Sequence, residues 1–364
     1  MSLPQDFLRT GGNLDGLHDK YAITAKRHPR FNNLVMLKYN QIDSPMAEPL
    51  VQQCRGIILD EDLNWNVVAR PFDKFFNYGE GQAATIDWRT AAVQEKLDGS
   101  LMILYYYDKT WQVASSGTPD AGGEVNGCGI PFADLFWSVF KEKGYVLPGR
   151  PFGMMTLMFE LMTPYNRVVV SQKVNDLKLV GMRYNFSGSE RAVRGSTQFE
   201  PVNEYSLSSL EQVIQTFETM DPLQQEGYVI VDGHFNRVKV KHPGYVALHH
   251  LKDGLNPKRL VDVVRRGETT EVLAAFPEWK PAVEQIQRSY DDLVTHLEVE
   301  YSRLKGITVQ KDFALEAVKT RLPSALFMLR KGQVGSVKAH VAGMMLDHVV
   351  DVLGVRSLDV GVSL

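Results

Sequence analysis

The residues of this chain that could do chemistry begin with Lys96, in the segment "QEKLDGSL". Lys96 stands two residues before Asp98 and Gly99, between two segments that have the composition of strands. An Asp-Gly pair between strands is typical of a surface hairpin, because glycine adopts positive φ without steric cost. The alternative is a lysine nucleophile held rigidly at a strand end. The choice depends on whether the partners that such a lysine needs occur elsewhere in the chain.

A lysine that attacks the α-phosphate of a nucleoside triphosphate needs cations nearby to hold the phosphates. The segment "RVKVK" places Lys239 and Lys241 two residues apart in a predicted strand, so that both side chains point to one face. Neighbouring positive charge lowers the pKa of a lysine, and we therefore expect these cations both to bind phosphate and to activate Lys96. An exposed strand face is the alternative interpretation of the two lysines.

Acidic and further basic residues complete the set that a nucleotide would require. Glu160 interrupts the apolar strand "LMFELM", where a buried carboxylate is costly unless it is paired. Glu160 is therefore half-exposed or holds a polar ligand such as a ribose hydroxyl, and we favour the ligand. Glu226 begins the strand "EGYVIV" and has a solvated strand end as its alternative. Arg55 and Lys74 lie upstream. Next to Lys74, one ring of the pair "FF" is expected in the core and the other against a base.

The elements that must position these residues change in type along the chain. Short segments rich in Val, Ile and aromatic residues, bounded by Gly, Asp, Asn and Pro, predict strands. They lie at 55–60, 65–72, 101–107, 111–116, 155–162, 167–171, 177–184, 227–233 and 237–241. From residue 283 to 304, apolar residues recur at spacings of three and four, which predicts an amphipathic helix, and two more helical segments follow. We predict a mixed α and β domain at 1–251 and an all-helical domain at 252–364.

The bulk composition is that of an ordinary cytosolic protein. A chain of 364 residues favours two domains, and a formal net charge of −3 argues against a polycation that coats nucleic acid. The 2 cysteines without a C-x-x-C motif exclude a zinc knuckle and a disulfide framework, and favour a reducing compartment. No apolar run reaches the roughly 20 residues of a membrane span, and the N-terminal segment has no apolar signal core. We expect a cytoplasmic location and no membrane partner.

The motifs in order, Lys-x-Asp-Gly, Phe-Glu-Leu, Glu-Gly-Tyr-Val and Lys-x-Lys, resemble those of covalent nucleotidyltransferases, which include DNA ligases, RNA ligases and mRNA capping enzymes. Within that group, "CRGI", "RPFDKFFN", "KLDGSL", "FELMTPYNR", "EGYVIV" and "KVKHPGYVALH" resemble the phage-type RNA ligase 1 family, at closely similar spacing over about residues 35–260. The resemblance implies an α+β fold. It consists of a nucleotidyltransferase (ATP-grasp-like ligase) domain of antiparallel sheets with flanking helices, followed by an all-helical domain for RNA specificity.

The resemblance also implies roles for individual residues. Lys96 would be the nucleophile that becomes adenylylated, with Asp98 and Gly99 as supporting residues of its motif. The implied ATP-binding residues are Tyr39, Arg55, Lys74, Glu160, Lys239 and Lys241.

Four further positions carry weaker implications of the resemblance. Glu226 and Glu271 would be metal ligands, Glu226 also serving the later steps, and Tyr245 matches a family position of functional interest. One departure concerns the segment "SSGTPD", where the family commonly has a lysine and this chain has Ser116. The replacement removes one cation and raises the question of how this chain holds phosphate or RNA.

The function implied by the resemblance is that of an ATP-dependent RNA ligase that uses ATP and Mg²⁺. It would join RNA 5′-phosphate and 3′-hydroxyl ends through a lysyl-AMP and an RNA-adenylate, as a monomer, in the host cytoplasm if the chain is phage-encoded. A nicked tRNA is a substrate suggested by analogy only.

Two alternatives remain open from the sequence. A DNA ligase or a capping guanylyltransferase is expected to follow the Lys-x-Lys strand with a β-rich OB domain, whereas helices are predicted here. A non-catalytic RNA-binding module on the same fold is an alternative of another class. The joint presence of Lys96, Glu160, Lys239 and Lys241 argues against it.

Overall fold

The computed structural model describes residues 1–41, 43–195, 198–251, 256–275 and 277–356. The chain divides into two compact units, Met1–His242 and Pro243–Leu364. This division precedes the boundary after Leu251 that the sequence suggests, and that boundary stays a prediction. Among the helices of the described residues, none combines the length and the apolar character needed to cross a bilayer.

The first unit contains three sheets in its described part, with the orders β1-β2-β3-β4, β11-β10-β9-β7-β8 and β12-β6-β13-β14-β5. Adjacent strands are antiparallel, apart from the parallel pair β14 and β5. The strands are β1 (Ile23–Arg27), β2 (Leu34–Tyr39), β3 (Arg55–Asp60), β4 (Asn66–Ala69), β5 (Phe76–Asn77), β6 (Ala92–Lys96), β7 (Ser100–Tyr107), β8 (Thr110–Ser115), β9 (Met155–Met162), β10 (Asp176–Tyr184), β11 (Glu190–Arg191), β12 (Glu204–Tyr205), β13 (Gly227–Val231) and β14 (Arg237–Lys241).

Helices flank these sheets and make up the regular structure of the second unit. Those of the first unit are α1 (Leu3–Arg9), α2 (Leu14–Tyr21), α3 (Pro49–Gln53), α4 (Phe132–Glu142) and α5 (Leu210–Thr216). Those of the second unit are α6 (Pro243–Leu251), α7 (Pro257–Arg266), α8 (Thr269–Ala275), α9 (Lys280–Leu304), α10 (Gln310–Ala317), α11 (Pro323–Arg330), α12 (Val337–Gly343) and α13 (Leu346–Leu353). The α+β class with antiparallel sheets and a helical C-terminal region is thereby confirmed.

Apolar periodicity accounts for how the elements pack. The apolar residues that recur at spacings of three and four between 283 and 304 form the buried face of α9, where Ile286, Leu293 and Leu297 are inaccessible to solvent. In the first unit, the sheet that contains β9 packs on α4, and the rings of Phe136 and Phe159 lie 5.8 Å apart. The sheet that contains β13 packs against α5 and buries its own apolar face. The other faces of these two sheets are thus left to line the cleft described below.

The hairpin interpretation of the Asp-Gly pair is wrong. Strands β6 and β7 belong to different sheets, so the segment between them crosses from one sheet to the other. Gly99 has no positive φ. A Cβ atom there would overlap the carbonyl oxygen of Leu161, on the neighbouring strand β9. Glycine is required for this close backbone approach and not for a turn conformation.

The prediction of a strand at 167–171 is also wrong, because these residues form no strand. The backbone amides of Val169 and Val170 donate hydrogen bonds to Oδ2 of Asp98, at 2.9 and 2.6 Å. A backbone whose donors are taken by a side chain cannot use them in a sheet ladder, whatever its β-propensity. Asp98 therefore anchors this apolar segment beside the crossover that follows Lys96.

Candidate active site

A cavity of about 300 Å³ lies between the two five-stranded sheets and is lined by residues of β6, β7, β9, β10, β13 and β14. This volume is at the lower end of the range for small-molecule sites. Arg55, at the start of β3, reaches the same cavity. The charged and aromatic side chains discussed below that line it are Arg55, Phe75, Lys96, Glu160, Arg237, Lys239 and Lys241.

Lys96 is held by a carboxylate at the end of β6. Its Nζ lies 2.6 Å from Oε2 of Glu226, and the other oxygen of Glu226 lies 3.6 Å from Nζ of Lys241. Gly227 makes this bridge possible, because it is the strand partner of both lysines. Its φ is +143°, and a Cβ there would overlap the carbonyl oxygen of Val240. Glu226 is 4% exposed, so the predicted alternative of a solvated strand end is wrong.

The pKa of Lys96 is raised, contrary to the expectation that neighbouring cations would lower it. Burial lowers this pKa, but the nearby carboxylates of Glu226 and Glu160 outweigh burial. The expectation fails because the group in direct contact with Nζ is an anion, while the cations lie farther away. In this state the amine carries its proton and is not a nucleophile.

The effect of neighbouring cations falls instead on Lys239. Burial lowers the pKa of Lys239 to about 7, assisted by the charges of Lys74, Lys241, Lys96 and Arg55. The predicted shared face of the strand is confirmed, because β14 buries its two valines on one face and turns its basic residues to the cavity. A group of cations this close together favours an anion between them.

Glu160 faces the cavity from β9. Burial raises its pKa to about 7, although the charge of Lys96 opposes this shift. Among the described residues, no group donates a hydrogen bond to its carboxylate, which remains half-buried at the cavity wall. A carboxylate that faces a cavity and accepts no hydrogen bond from the described residues can accept hydrogen bonds from ligand hydroxyl groups.

Aromatic rings separate the cations at one end of the cavity. The guanidinium of Arg55 lies 5.1 Å from the ring centre of Phe75, and Nζ of Lys239 lies 5.5 Å from the same centre. Phe76 is buried, so the prediction of one core ring is confirmed, whereas Phe75 is half-buried and lines the cavity that contains Lys96. The ring of Phe75 also meets that of Phe72 edge-on at 6.0 Å, and its part that faces the cavity offers a stacking surface for a base.

Lys74 and Tyr39 lie together at the edge of this group. Nζ of Lys74 is 5.7 Å from the ring centre of Tyr39 and 5.5 Å from that of Phe76. Lys74 lines the neighbouring cavity of about 200 Å³ rather than the one that contains Lys96. Tyr39 is buried in the core of the first sheet, and burial raises the pKa of its hydroxyl.

Of the four remaining predicted residues, two belong to the crossover after Lys96 and two to the second unit. Asp98 and Gly99 shape the crossover after Lys96, as described above. Tyr245 is 2% exposed in α6 of the second unit, with its ring 6.4 Å from that of His249. Glu271 falls in α8, and its side chain is outside the described part of the chain. No cluster of three or more His, Cys, Asp or Glu residues suited to a metal occurs among the described residues.

Two arginines with structural roles at the cleft were not assigned from the sequence. Arg237 lines the cavity and pairs with Glu190 at 2.7 Å, and its place in the alternation of β14 could have indicated it. Arg183, whose role the sequence leaves open, pairs with Asp73 at 2.7 Å and donates to the carbonyl of Pro71. Arg183 therefore holds the segment that carries Lys74 and Phe75.

Comparison with known proteins identifies similar chains. The sequence profile of a family described as "RNA ligase" matches residues 53–143. The RNA ligase of Rhodothermus phage RM378 is 26% identical, over 69% of this chain and 72% of that protein. A putative bifunctional polynucleotide kinase/RNA ligase of Autographa californica nuclear polyhedrosis virus is 25% identical, over 91% of this chain and 50% of that protein. The chain thus spans half the length of this viral relative. The structure of an archaeal ATP-dependent RNA ligase aligns with a TM-score of 0.48 and 15% identity, over 72% of this chain and 68% of that one.

Proposed function

We propose that this chain, which is similar to RNA ligases over residues 53–143 and to a phage RNA ligase at 26% identity, joins RNA ends by way of a covalent AMP adduct on Lys96. The observation that carries the proposal is the position of the Lys96 amine. It lies at a cavity whose walls bear four further cations, the carboxylate of Glu160, which accepts no hydrogen bond from the described residues, and the half-buried ring of Phe75. These groups match the phosphates, the ribose and the base of ATP.

In the first step, Nζ of Lys96 attacks the α-phosphorus of ATP, forming a P–N bond as the P–O bond to pyrophosphate breaks. The amine must first lose its proton, and Oε2 of Glu226, at 2.6 Å, is the contacting oxygen that can accept it. Arg55, Lys239 and Lys241 stabilise the negative charge that develops on the phosphates. Glu160 orients the nucleotide by accepting hydrogen bonds from the ribose.

In the second step, AMP passes from Lys96 to the 5′-phosphate of an RNA end, forming a phosphoanhydride. In the third, a 3′-hydroxyl of RNA attacks that activated phosphate, a phosphodiester forms and AMP leaves. Selection of the RNA, including a nicked tRNA, is assigned to the helical unit by analogy.

Mg²⁺ fits this site as a companion of the nucleotide and not as an ion in a protein cage. Mg²⁺ keeps several waters and binds through one or two carboxylates together with substrate phosphates. The described residues contain no cluster of three metal-binding side chains, and Glu226 is the carboxylate nearest the reacting amine. When bound with ATP, Mg²⁺ would neutralise the pyrophosphate and polarise the α-phosphate.

Intact-mass analysis after incubation with Mg²⁺ and either ATP or GTP tests the proposal. We expect the mass of one AMP to be added from ATP and no GMP from GTP, followed by circularisation of a 5′-phosphorylated RNA oligonucleotide. Labelling by GTP alone would indicate a capping-type guanylyltransferase. Preferential joining of nicked DNA would indicate a DNA ligase. If neither nucleotide labels a folded protein that is free of bound AMP, the non-catalytic RNA-binding module is the better interpretation.

The low pKa of Lys239 predicts that ATP binding takes up a proton. With a pKa of about 7, the amine is mostly neutral at pH 8 and mostly protonated at pH 6. Phosphates placed beside it raise the pKa, so binding takes up close to one proton at pH 8 and few at pH 6. Calorimetry in buffers of different ionisation enthalpy measures this uptake. A Lys96→Arg background keeps the positive charge and prevents the reaction.

The control is Lys239→Met in the same background, which should lose the uptake at pH 8. Uptake that persists in this variant would assign the proton to another group, Glu160 being the first candidate because its pKa is also about 7.

A further inference from the structure

A second group of cations surrounds the loop of residues 115–118, which follows β8. Nζ of Lys26 donates to the carbonyl of Gly117 at 2.9 Å. A Cβ atom built on Gly117 would lie 3.6 Å from Nζ of Lys38, so the Lys38 amine lies directly over the loop. Lys38 is also the strand partner of Arg55, across β2 and β3. The loop, the two lysines and Arg55 therefore form one basic rim, which we call the Lys38 rim.

The charges of this rim are not compensated within the described residues. No ion pair to Lys26 or Lys38 occurs there, and Nη1 of Arg55 is buried without a hydrogen-bond partner. Burial lowers the pKa of Lys38, and the charges of Lys26 and Arg55 lower it further. Holding three cations together without an anion costs free energy, and this cost is recovered when an anion binds.

The rim is continuous with the cleft, because Arg55 lines the cavity that contains Lys96. The loop contains Ser116, where the resemblance described above leads one to expect a lysine. Lys38 approaches the same loop from the neighbouring sheet. We propose that Lys38 binds phosphate oxygens of a substrate and occupies, from a different strand, the place of the cation absent at Ser116. This inference rests on the proposed ligase function, which brings the phosphates to the cleft.

Two substrates present such oxygens: the triphosphate of ATP and the 5′-phosphate of RNA. Two kinetic measurements separate them. The first is the rate at which the enzyme acquires AMP at subsaturating ATP, followed by intact mass. The second uses purified adenylylated enzyme and follows the transfer of AMP to a 5′-phosphorylated RNA oligonucleotide in a single turnover.

Lys38→Met removes the charge and keeps the length of the side chain. A hydrogen bond to a charged group is worth enough that its loss should slow one of the two rates by roughly ten- to one-hundred-fold. Lys141→Met is the matched control, since Lys141 is an exposed lysine of the same unit on α4, and both of its rates should equal those of the wild type.

Rescue distinguishes phosphate binding from a structural role. The double variant Lys38→Met, Ser116→Lys lacks the Lys38 amine but carries a lysine within the loop itself. This lysine should restore most of the lost rate. A structural defect at Lys38 would not respond to a lysine at position 116. If both rates of Lys38→Met match the wild type, the inference is wrong.

Chemical protection in the wild-type protein supplies a measurement that does not depend on folding of a variant. The lowered pKa of Lys38 makes its amine reactive towards acetic anhydride, and peptide mass spectrometry gives the extent of acetylation. Pyrophosphate or a 5′-phosphorylated oligoribonucleotide should protect Lys38 several-fold, and protection by neither overturns the inference. A wild-type protein that never acquires AMP overturns the proposed function instead, and protection still reports on Lys38 by itself.

Discussion

Replacing Lys96 with alanine abolishes formation of the AMP adduct, a loss of at least about 10³-fold, because no other amine occupies its position. The change also leaves Glu226 buried with one fewer cation, and breaking a buried pair costs about 3–5 kcal/mol of stability. Lys96→Arg is therefore the more informative variant. It keeps a positive charge against Glu226, and its guanidinium does not deprotonate near neutral pH.

Both variants are assayed by intact mass after incubation with ATP and Mg²⁺, with Lys141→Ala as an exposed-lysine control that labels normally. With a pre-adenylylated RNA, the third step requires no lysine nucleophile, so Lys96→Arg should still seal the ends. An AMP adduct on folded Lys96→Arg would place the nucleophile elsewhere. Lys239 is the residue to test then, since its pKa of about 7 leaves much of its amine neutral.

The second large effect is expected from Gly99→Ala. The added methyl overlaps the carbonyl oxygen of Leu161 and lies 2.9 Å from Cγ of Met162, so the crossover or β9 must move. Overpacking of this kind costs about 1–3 kcal/mol of stability, and occasionally more. Leu161 follows Glu160 directly, and Gly99 lies three residues after Lys96. The displacement therefore separates the nucleophile from the proposed ribose acceptor, and a shift of about 1 Å can slow chemistry about 10²-fold.

Gly81→Ala is the matched control, because no atom lies within 4 Å of the new methyl and the backbone has no positive φ. Urea unfolding gives the stability of each variant, and the rate of AMP acquisition gives the activity. We expect Gly81→Ala to match the wild type in both measurements. Unchanged stability and labelling of Gly99→Ala would show that the close approach between Gly99 and β9 does not constrain the site.

Sequence periodicity predicted much of the local structure, since the alternation of small apolar and polar residues determines which face of a strand is buried. Strand β14 is the clearest case, because the alternation of Val and Lys is enough to place Lys239 and Lys241 on one face. Strand β9 and helix α9 follow equally from their patterns. The segment at 167–171 shows where prediction from local pattern fails. Its residues favour a strand, but two of its backbone amides donate hydrogen bonds to Asp98, which is far away in the chain.

The sequence by itself determined which residues could do chemistry and in what order they occur, because those are properties of residue type and spacing. Only the tertiary structure decided which charged side chains are in contact with one another. Glu226 contacts Lys96 because two strands on either side of Gly227 bring them together, and this contact reverses the expected direction of the Lys96 pKa. Lys38 lies over the 115–118 loop for a similar reason. Electrostatic energies fall steeply with distance, and distances between residues far apart in the sequence are determined by the packing of sheets.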